Sequence, residues 1–360
     1  MRWDSLRLTE AAGPAQGAPA PGGQVRAVPL LPHGAVTRTF DTPEFRGITV
    51  HEVTARTALN KVPEASRMPF RWTINPYRGC TMACRYCFAR KTHEYLDLDA
   101  GADFDSQIVV KTNVADVLRR ELARPTWRRE HVAMGTNVDC YQRLEGRYQL
   151  MPQIIAALTD AANPFSILTK GALILRDLEL LRRAAAVTDV SAAVSVGSVD
   201  RELRGLVEPG APPPGRRLEV VRMLGEAGIP TGVLMAPILP YLTDSEGQLA
   251  ATVEAIAASG ASYVSPIVLH LRPGAREWWL AWLDREHPQL VPRYAELYRR
   301  GSYADSTYQR RITATVRRLA QQHGIGRPHV GRWSTGHEQA DHEMPPGRAP
   351  TGSPEQLQLL

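Results

Sequence analysis

The chain has 360 residues, of which 43% are hydrophobic and 22% are charged, and its formal net charge is +6. This length suggests about two domains or one α/β barrel, and the lack of any run of about eighteen apolar residues excludes an ordinary transmembrane helix. The first residues, MRWDSLRLTE, lack the basic-then-apolar order of a secretory signal, so we expect a cytoplasmic protein. Arginine is abundant together with alanine, glycine and proline, so the positive charge alone does not indicate a nucleic-acid partner.

Composition divides the chain into five segments. Residues 1–37 contain the stretch AAGPAQGAPAPGG, which cannot bury apolar surface, and are expected to be mostly a flexible leader. Residues 38–69 are expected to be an N-terminal extension that packs on the core, and residues 70–290 are expected to form that core. Residues 291–326 are expected to be a C-terminal helical extension, and the polar residues 327–360 a disordered tail.

The core segment alternates short apolar runs with helical patterns. Repeated strand–helix units indicate parallel strands joined by right-handed crossovers. Six such units predict an α/β fold, a partial TIM-like (βα)6 barrel with an N-terminal extension and C-terminal helices. The six predicted strands lie within residues 70–77, 131–137, 165–170, 190–196, 231–238 and 263–271.

Small or polar residues follow several of these predicted strands. Gly135, Thr136 and Asn137 follow the second strand, Lys170 follows the third, and Ser195 ends the fourth. Because the chemistry of such folds lies at the C-terminal ends of the strands, these residues are candidates for a site. The alternative is that they simply mark where loops begin.

Three cysteines lie within eight residues directly after the first predicted strand. Cys80, Cys84 and Cys87 have the spacing C-x3-C-x2-C. In a cytosolic chain such a group is more typical of a metal site than of disulfides. Gly79 allows a sharp turn before the first thiol. Iron–sulfur clusters bind cysteine thiolates, and a cubane usually takes four, so three thiolates would leave one iron open to a substrate or cofactor.

The cysteine motif, with Tyr86 as the aromatic residue before the last cysteine, resembles that of the radical S-adenosylmethionine (SAM) superfamily. The wider sequence is similar to the branch grouped with spore photoproduct lyase, and in particular to its bacterial relatives of unassigned substrate. The similarity covers about residues 38–320. It rests on NPYRGCTMACRYCFAR, VVKTNVADVLRREL, MGTNVDCYQRLEGRY, ILTKGALILRDLELL, EPGAPPPGRRLEVVRML, AGIPTGVLMAPILP and LRPGAREWWLAWL.

The resemblance implies a mechanism. Cys80, Cys84 and Cys87 would bind three irons of a [4Fe–4S] cluster, and SAM would chelate the fourth. One electron from the reduced cluster, supplied by a reductant such as flavodoxin or ferredoxin, would cleave SAM to a 5′-deoxyadenosyl radical. That radical would act on a substrate that the sequence does not identify. A nucleic-acid lesion is suggested by analogy with the branch, and a small molecule or peptide is the alternative.

The resemblance also assigns SAM contacts to the strand ends. Tyr86 would lie near the adenine, Lys170 would bind the SAM carboxylate as a compact charge, and Ser195 would face the ribose hydroxyls. Gly135, Thr136 and Asn137 occupy the place of a Gly-Gly-Glu-like motif, and the chain lacks that glutamate.

The fourth cysteine, Cys140, is a candidate catalytic residue together with its neighbour Tyr141. In the functional interpretation Cys140 donates a hydrogen atom or relays a thiyl radical beside SAM. Spore photoproduct lyase has a donor cysteine in this region, but it aligns more nearly with Thr136. The alternative is that Cys140 is a small buried hydrophobic residue.

Two alternatives to the catalytic cluster remain. The cysteine triplet could be a structural zinc site with Cys140 or a histidine as fourth ligand, although its spacing is unusual for zinc. The second alternative is a non-catalytic iron–sulfur or zinc protein used for sensing or scaffolding. The arginine-rich stretches 119–129 and 308–318 are expected to be solvated helix faces rather than nucleic-acid contacts.

Overall fold

The computed structural model describes residues 30–64, 66 and 68–326. The tail expected at 327–360 and most of the expected leader therefore lie outside the described residues. The described end of that leader is packed, because Leu31 is buried and the Leu30 amide donates to the Leu96 carbonyl at 2.8 Å.

Eleven strands and eleven α-helices make up the described part of the chain, with short 3-10 helices between them. The strands are β1 (Val36–Thr39), β2 (Thr49–Val53), β3 (Leu59–Lys61), β4 (Trp72–Ile74), β5 (Tyr77–Arg78), β6 (Gln107–Lys111), β7 (Val132–Met134), β8 (Phe165–Thr169), β9 (Val190–Ser195), β10 (Thr231–Ile238) and β11 (Val264–Val268). The helices are α1 (Ala102–Ser106), α2 (Val114–Leu122), α3 (Glu145–Tyr148), α4 (Leu150–Asp160), α5 (Leu178–Ala185), α6 (Arg201–Val207), α7 (Pro214–Glu226), α8 (Glu246–Ala258), α9 (Ala275–Glu286), α10 (Val291–Leu297) and α11 (Ser306–Gln322).

The larger sheet has the strand order β11-β10-β9-β8-β7-β4-β3. Its strands β4, β7, β8, β9, β10 and β11 pair in parallel, and β3 pairs antiparallel with β4 at the edge. Sequential order with helical crossovers is the arrangement of a partial TIM-like barrel. The predicted (βα)6 fold is therefore confirmed, and each of its six strands lies within a segment predicted to contain one.

The parallel strands form because their sequences are short apolar runs flanked by turn residues. All three residues of β7 are buried, and the first three residues of β10 are buried as well. Such strands are covered by helices on the outside. The helix α8 begins at a capping box. The Ser245 side chain accepts from the Gln248 backbone N–H, and the Gln248 side chain accepts from the Ser245 backbone N–H.

A second sheet, with the order β1-β2-β6-β5, joins two strands that precede residue 70 to two strands of the expected core segment 70–290. Here β2 pairs in parallel with β6, whereas β1 and β5 pair antiparallel with their neighbours. One face of this small sheet contributes Tyr77, Ile108 and Val110 to the main core. The opposite face contributes Val53 and Val109 to a separate small core with Leu31, Leu96, Leu98 and Ala35.

The expected helix over 119–129 is wrong in its second half, because α2 ends at Leu122. Pro125 disfavours helical backbone in the residue before it. Trp127 instead packs edge-on against Trp72 and donates its indole N–H to Asn163 Oδ1 at 2.7 Å. Trp127 therefore serves packing, whereas Arg124, Arg128 and Arg129 are exposed. None of the helices described here is both long and apolar enough to cross a membrane.

Candidate functional site

The cysteine loop lies after β4 and β5, at the C-terminal end of the first parallel strand. Gly79 has φ +76°, and a Cβ there would meet the side chain of Ile108 at 2.8 Å, so glycine is required. Cys80 and Cys84 are buried and Cys87 is half-buried. Arg90 fixes the loop, because its guanidinium donates to the Cys84 carbonyl at 2.9 Å and pairs with Asp105 at 2.8 Å.

Burial keeps the cysteine thiols protonated in the protein without a ligand. It raises the pKa of Cys84 to about 12, with a contribution from Glu208, while the positive charges of Lys170 and Arg217 oppose the shift. Burial also raises the pKa of Cys80 and Cys87, and the neighbouring Cys84 and Cys87 add to the shift at Cys80. Since iron binds thiolates, cluster assembly must release these protons.

The donor set fits a cluster better than it fits a single ion. Within the described ranges, no group of three or more His, Cys, Asp or Glu side chains is arranged to hold one metal ion. A zinc ion needs its ligands to converge on one point at about 2.3 Å for sulfur. A cubane offers a separate iron to each thiolate, so its ligands need not converge. The three thiols of the cysteine loop can therefore each bind a different iron of one cluster.

The second strand ends in a close contact between backbones. Gly135 has φ +74°, and a Cβ at this position would lie 1.8 Å from the Leu168 carbonyl oxygen and 3.5 Å from Cys140 Sγ. Cys140 is fully buried, and burial, followed by the charge of Asp139, raises its pKa well above the ordinary value. The structure therefore places Cys140 against Gly135, as a protonated thiol.

Gly135→Ala should disrupt this strand end strongly. The added methyl meets backbone rather than a flexible side chain, and the residue has a positive φ, so we expect a loss of about 2 kcal/mol or more in unfolding free energy. Gly225→Ala is the matched control, because Gly225 lies in α7 with open space around it. There alanine should stabilise by roughly 0.5–1 kcal/mol. Urea denaturation of both variants measures the difference, and equal stability of the two would contradict the packing described.

Thr136 and Asn137 lie beside Gly135 and are both half-buried. In the described structure the Asn137 Oδ1 atom is buried and accepts no hydrogen bond. A buried polar atom without a partner is costly unless something else binds it. The unpaired Asn137 Oδ1 atom could accept a hydrogen bond from a ligand bound at the end of the second strand.

The ends of the third and fourth strands meet through two predicted residues. Lys170 Nζ donates to Ser195 Oγ at 2.8 Å, and Ser195 Oγ donates to the Ala236 carbonyl at 2.8 Å. The same ammonium lies 5.8 Å from the ring centroid of Tyr86. The structure thus brings together Tyr86, Lys170 and Ser195, which the sequence separates widely.

Two further residues complete this group and were not predicted. Glu208, directly after α6, accepts from the Tyr86 hydroxyl, forms a buried ion pair with Arg217 and lies 4.0 Å from Lys170 Nζ. Arg217 also donates to the Ser195 carbonyl at 3.0 Å. Burial raises the pKa of Glu208, but Arg217 and Lys170 outweigh it and hold that pKa below its ordinary value. Glu208 is therefore a carboxylate.

The Tyr141 side chain forms its hydrogen bond outside this group. Its hydroxyl donates to Asp177 at 3.0 Å and its side chain is buried. Burial, followed by the Asp177 charge, raises the pKa of Tyr141 well above the ordinary value. Its backbone N–H donates to Asp139, which also accepts from Thr169 and from the Lys170 amide at 2.6 Å. The catalytic role of Tyr141 stays a prediction, and the observed contacts are structural ones.

Comparison with known proteins identifies the family of the chain. The Radical SAM superfamily model matches residues 74–253, which is half of the chain. The uncharacterized protein Rv2578c of Mycobacterium tuberculosis is 52% identical over 303 residues, covering 84% of this chain and 89% of that protein. The uncharacterized protein MJ0683 of Methanocaldococcus jannaschii is 27% identical over 201 residues, covering 55% and 71%.

Solved structures show the same fold at low sequence identity. Spore photoproduct lyase complexed with dinucleoside spore photoproduct superposes with a TM-score of 0.57 at 18% identity, covering 76% of this chain and 79% of that one. A variant of that lyase with bound AdoMet and the same dinucleoside gives a TM-score of 0.56 at 18% identity, with the same coverage. Superfamily membership implies SAM and an iron–sulfur cluster as cofactors. The chain belongs to the radical SAM superfamily and is an enzyme of that type.

Proposed function

We propose that this enzyme cleaves SAM reductively at a [4Fe–4S] cluster bound by Cys80, Cys84 and Cys87. The observation that carries the proposal is the convergence of the cysteine loop with Lys170 and Ser195 at one end of the parallel sheet. When bound, the cluster and SAM together supply an electron and a carbon-centred radical that abstracts hydrogen from a substrate.

The side chains of the protein bind and orient SAM in this proposal. Lys170 Nζ, half-buried beside the cysteine loop, supplies the cation for the SAM carboxylate. Ser195 and the Tyr86 ring face the nucleoside, and Asn137 Oδ1 supplies an unused acceptor at the second strand. Because these groups are largely removed from water, each interaction is stronger than it would be at the surface.

Lys170→Met should weaken SAM binding by about ten- to hundredfold, which is the usual range for losing a charge-assisted hydrogen bond. Lys61→Met is the control, because Lys61 lies at the sheet edge with an exposed ammonium 3.9 Å from Glu64. Equilibrium dialysis of labelled SAM against the cluster-loaded protein measures both. Equal affinity in the two variants would rule out Lys170 as a SAM ligand.

The activity itself is tested by anaerobic reconstitution with iron and sulfide, followed by dithionite and SAM. We expect 5′-deoxyadenosine and methionine to form. A protein that binds a cluster but never cleaves SAM would favour the sensor or scaffold alternative.

We propose a nucleic-acid lesion as the substrate class, by analogy with spore photoproduct lyase. The fold likeness supports this analogy, and the positive net charge of +6 is compatible with it. A gel shift with lesion-bearing and undamaged DNA at increasing salt tests it, because phosphate contacts release counterions. If DNA does not bind, a small molecule or peptide becomes the better candidate.

We further propose a cytoplasmic location, with flavodoxin or ferredoxin as the reductant.

We also propose that Cys140 donates the hydrogen atom. Its protonated thiol lies beside Gly135, at the end of the second strand. Cys140→Ala should retain the cluster and SAM cleavage but change the product or uncouple turnover. Product analysis with the true substrate decides, and a product distribution identical to that of the wild type would eliminate the donor role.

A further inference from the structure

Two cations lie side by side on the face of the small sheet that points away from the main core. In the β5–β6 pairing Arg78 is opposite Val109, and Lys111 lies two residues beyond Val109 on the same strand face. Val53, which is opposite Lys111 in the β2–β6 pairing, belongs to the same small core as Val109. Tyr77, the residue before Arg78, belongs to the main core instead. Arg78 and Lys111 therefore share one face, as diagonal neighbours.

Neither cation has a carboxylate partner among the described residues, and the ionisable group that interacts with Arg78 is the Tyr95 phenol. The ion pairs and side-chain hydrogen bonds of that part of the chain include no contact to the Arg78 guanidinium or the Lys111 ammonium. Both residues are half-buried. Burial, and secondarily the Arg78 charge, lowers the pKa of Lys111 to about 8, with no carboxylate opposing the shift. Lys111 still carries its charge at neutral pH.

Placing two like charges together beside apolar side chains is unfavourable unless an anion joins them. The neighbouring Leu31, Leu96 and Leu98 lower the local polarity and would strengthen any such interaction. A guanidinium fork and a compact ammonium together are the groups with which proteins bind phosphate.

We propose that Arg78 and Lys111 form a binding site for a phosphate group, on the side of the small sheet opposite the main core. Neither residue is among the proposed SAM contacts, although Arg78 lies two residues before Cys80 in the sequence. A free phosphate and the phosphodiester of a nucleic acid share the required chemistry, and the two sources are separated by experiment.

The test uses the full-length protein at low salt, with inorganic phosphate and a short single-stranded oligonucleotide as separate probes in isothermal titration calorimetry. Lys111→Met should weaken binding by about ten- to hundredfold, whereas the Lys61→Met control should bind like the wild type. Lys111→Arg keeps the charge and should retain most of the affinity. Binding of phosphate alone identifies a small anion, and binding of the oligonucleotide alone identifies a polymer.

Stability provides an independent measurement. Without phosphate, Lys111→Met should be at least as stable as the wild type, because it removes an unpaired buried charge while the Lys111 backbone bond to Pro76 remains. Added phosphate should raise the melting temperature of the wild type and of Lys61→Met but not of Lys111→Met. The proposal is overturned if neither probe binds, or if Lys111→Met binds as tightly as Lys61→Met.

Discussion

Cys84→Ala is expected to lose the iron–sulfur cluster and all 5′-deoxyadenosine formation. Cys84 is buried in the middle of the cysteine loop, next to the charges of Lys170, Glu208 and Arg217. Two remaining thiolates would hold only two irons of a cubane, and the family requires the cluster for the electron. Iron content after anaerobic reconstitution should fall to the level of the buffer, and SAM cleavage should fall to background.

Cys140→Ala is the matched control for that experiment. Cys140 is also a buried free cysteine, but it lies outside the loop, against Gly135. Its removal should leave the iron content unchanged. If Cys140→Ala also loses iron, Cys140 is a ligand and the zinc-type arrangement with four protein ligands regains support. If Cys84→Ala keeps its cluster, the ligand assignment is wrong.

Glu208→Gln is expected to destabilise the protein by roughly 3–5 kcal/mol, the usual cost of breaking a buried ion pair by removing one partner. The side chains of Glu208 and Arg217 are 6% and 1% exposed, so water cannot replace the lost carboxylate. Arginine keeps its charge in proteins, and Glu208 is the main group that opposes the effect of burial on the pKa of Arg217. Without Glu208, Arg217 would therefore be an unpaired buried charge. SAM affinity should also fall, because Glu208 holds Tyr86 and lies beside Lys170.

A double-mutant cycle separates the pair from its surroundings. Glu208→Gln combined with Arg217→Met should cost less than the sum of the two single changes, with a coupling of about 0.5–3 kcal/mol. Glu219→Gln is the matched control, because its pair with Arg216 is exposed at 41% and 45% and should change stability by less than about 1 kcal/mol. Additive effects in the cycle, measured by chemical denaturation, would contradict a coupled buried pair.

The six parallel strands could be predicted because each is a short apolar run followed by a helical pattern. The β10 strand, Thr231–Ile238, has the bounds of its predicted segment. The small sheet could not be predicted in the same way. Every residue of β1 is exposed, and β5 has only two residues, so neither has a recognisable hydrophobic pattern. Their pairing depends on partners distant in sequence.

In the candidate site, too, some residues could be predicted from the sequence and others could not. Lys170 and Ser195 were predicted as candidate SAM contacts because each lies at the C-terminal end of a predicted parallel strand, and the structure shows their side chains hydrogen-bonded. Glu208 and Arg217 lie within a proline-rich connection and a helix, where no periodicity distinguishes a buried charge from an exposed one. Only the tertiary fold brings them to Tyr86. Local sequence thus predicts the strand-end residues, and the buried charges that support them emerge from the topology.

In the proposed site, three cysteines hold a cluster with one iron available to SAM. The most direct measurement is electron paramagnetic resonance of the dithionite-reduced protein before and after SAM is added, with iron and sulfide determined on the same sample. We expect about four irons and four sulfides per chain, and a signal that changes when SAM binds. A zinc-loaded protein, or a reduced cluster whose signal SAM does not change, would rule out this cluster assignment.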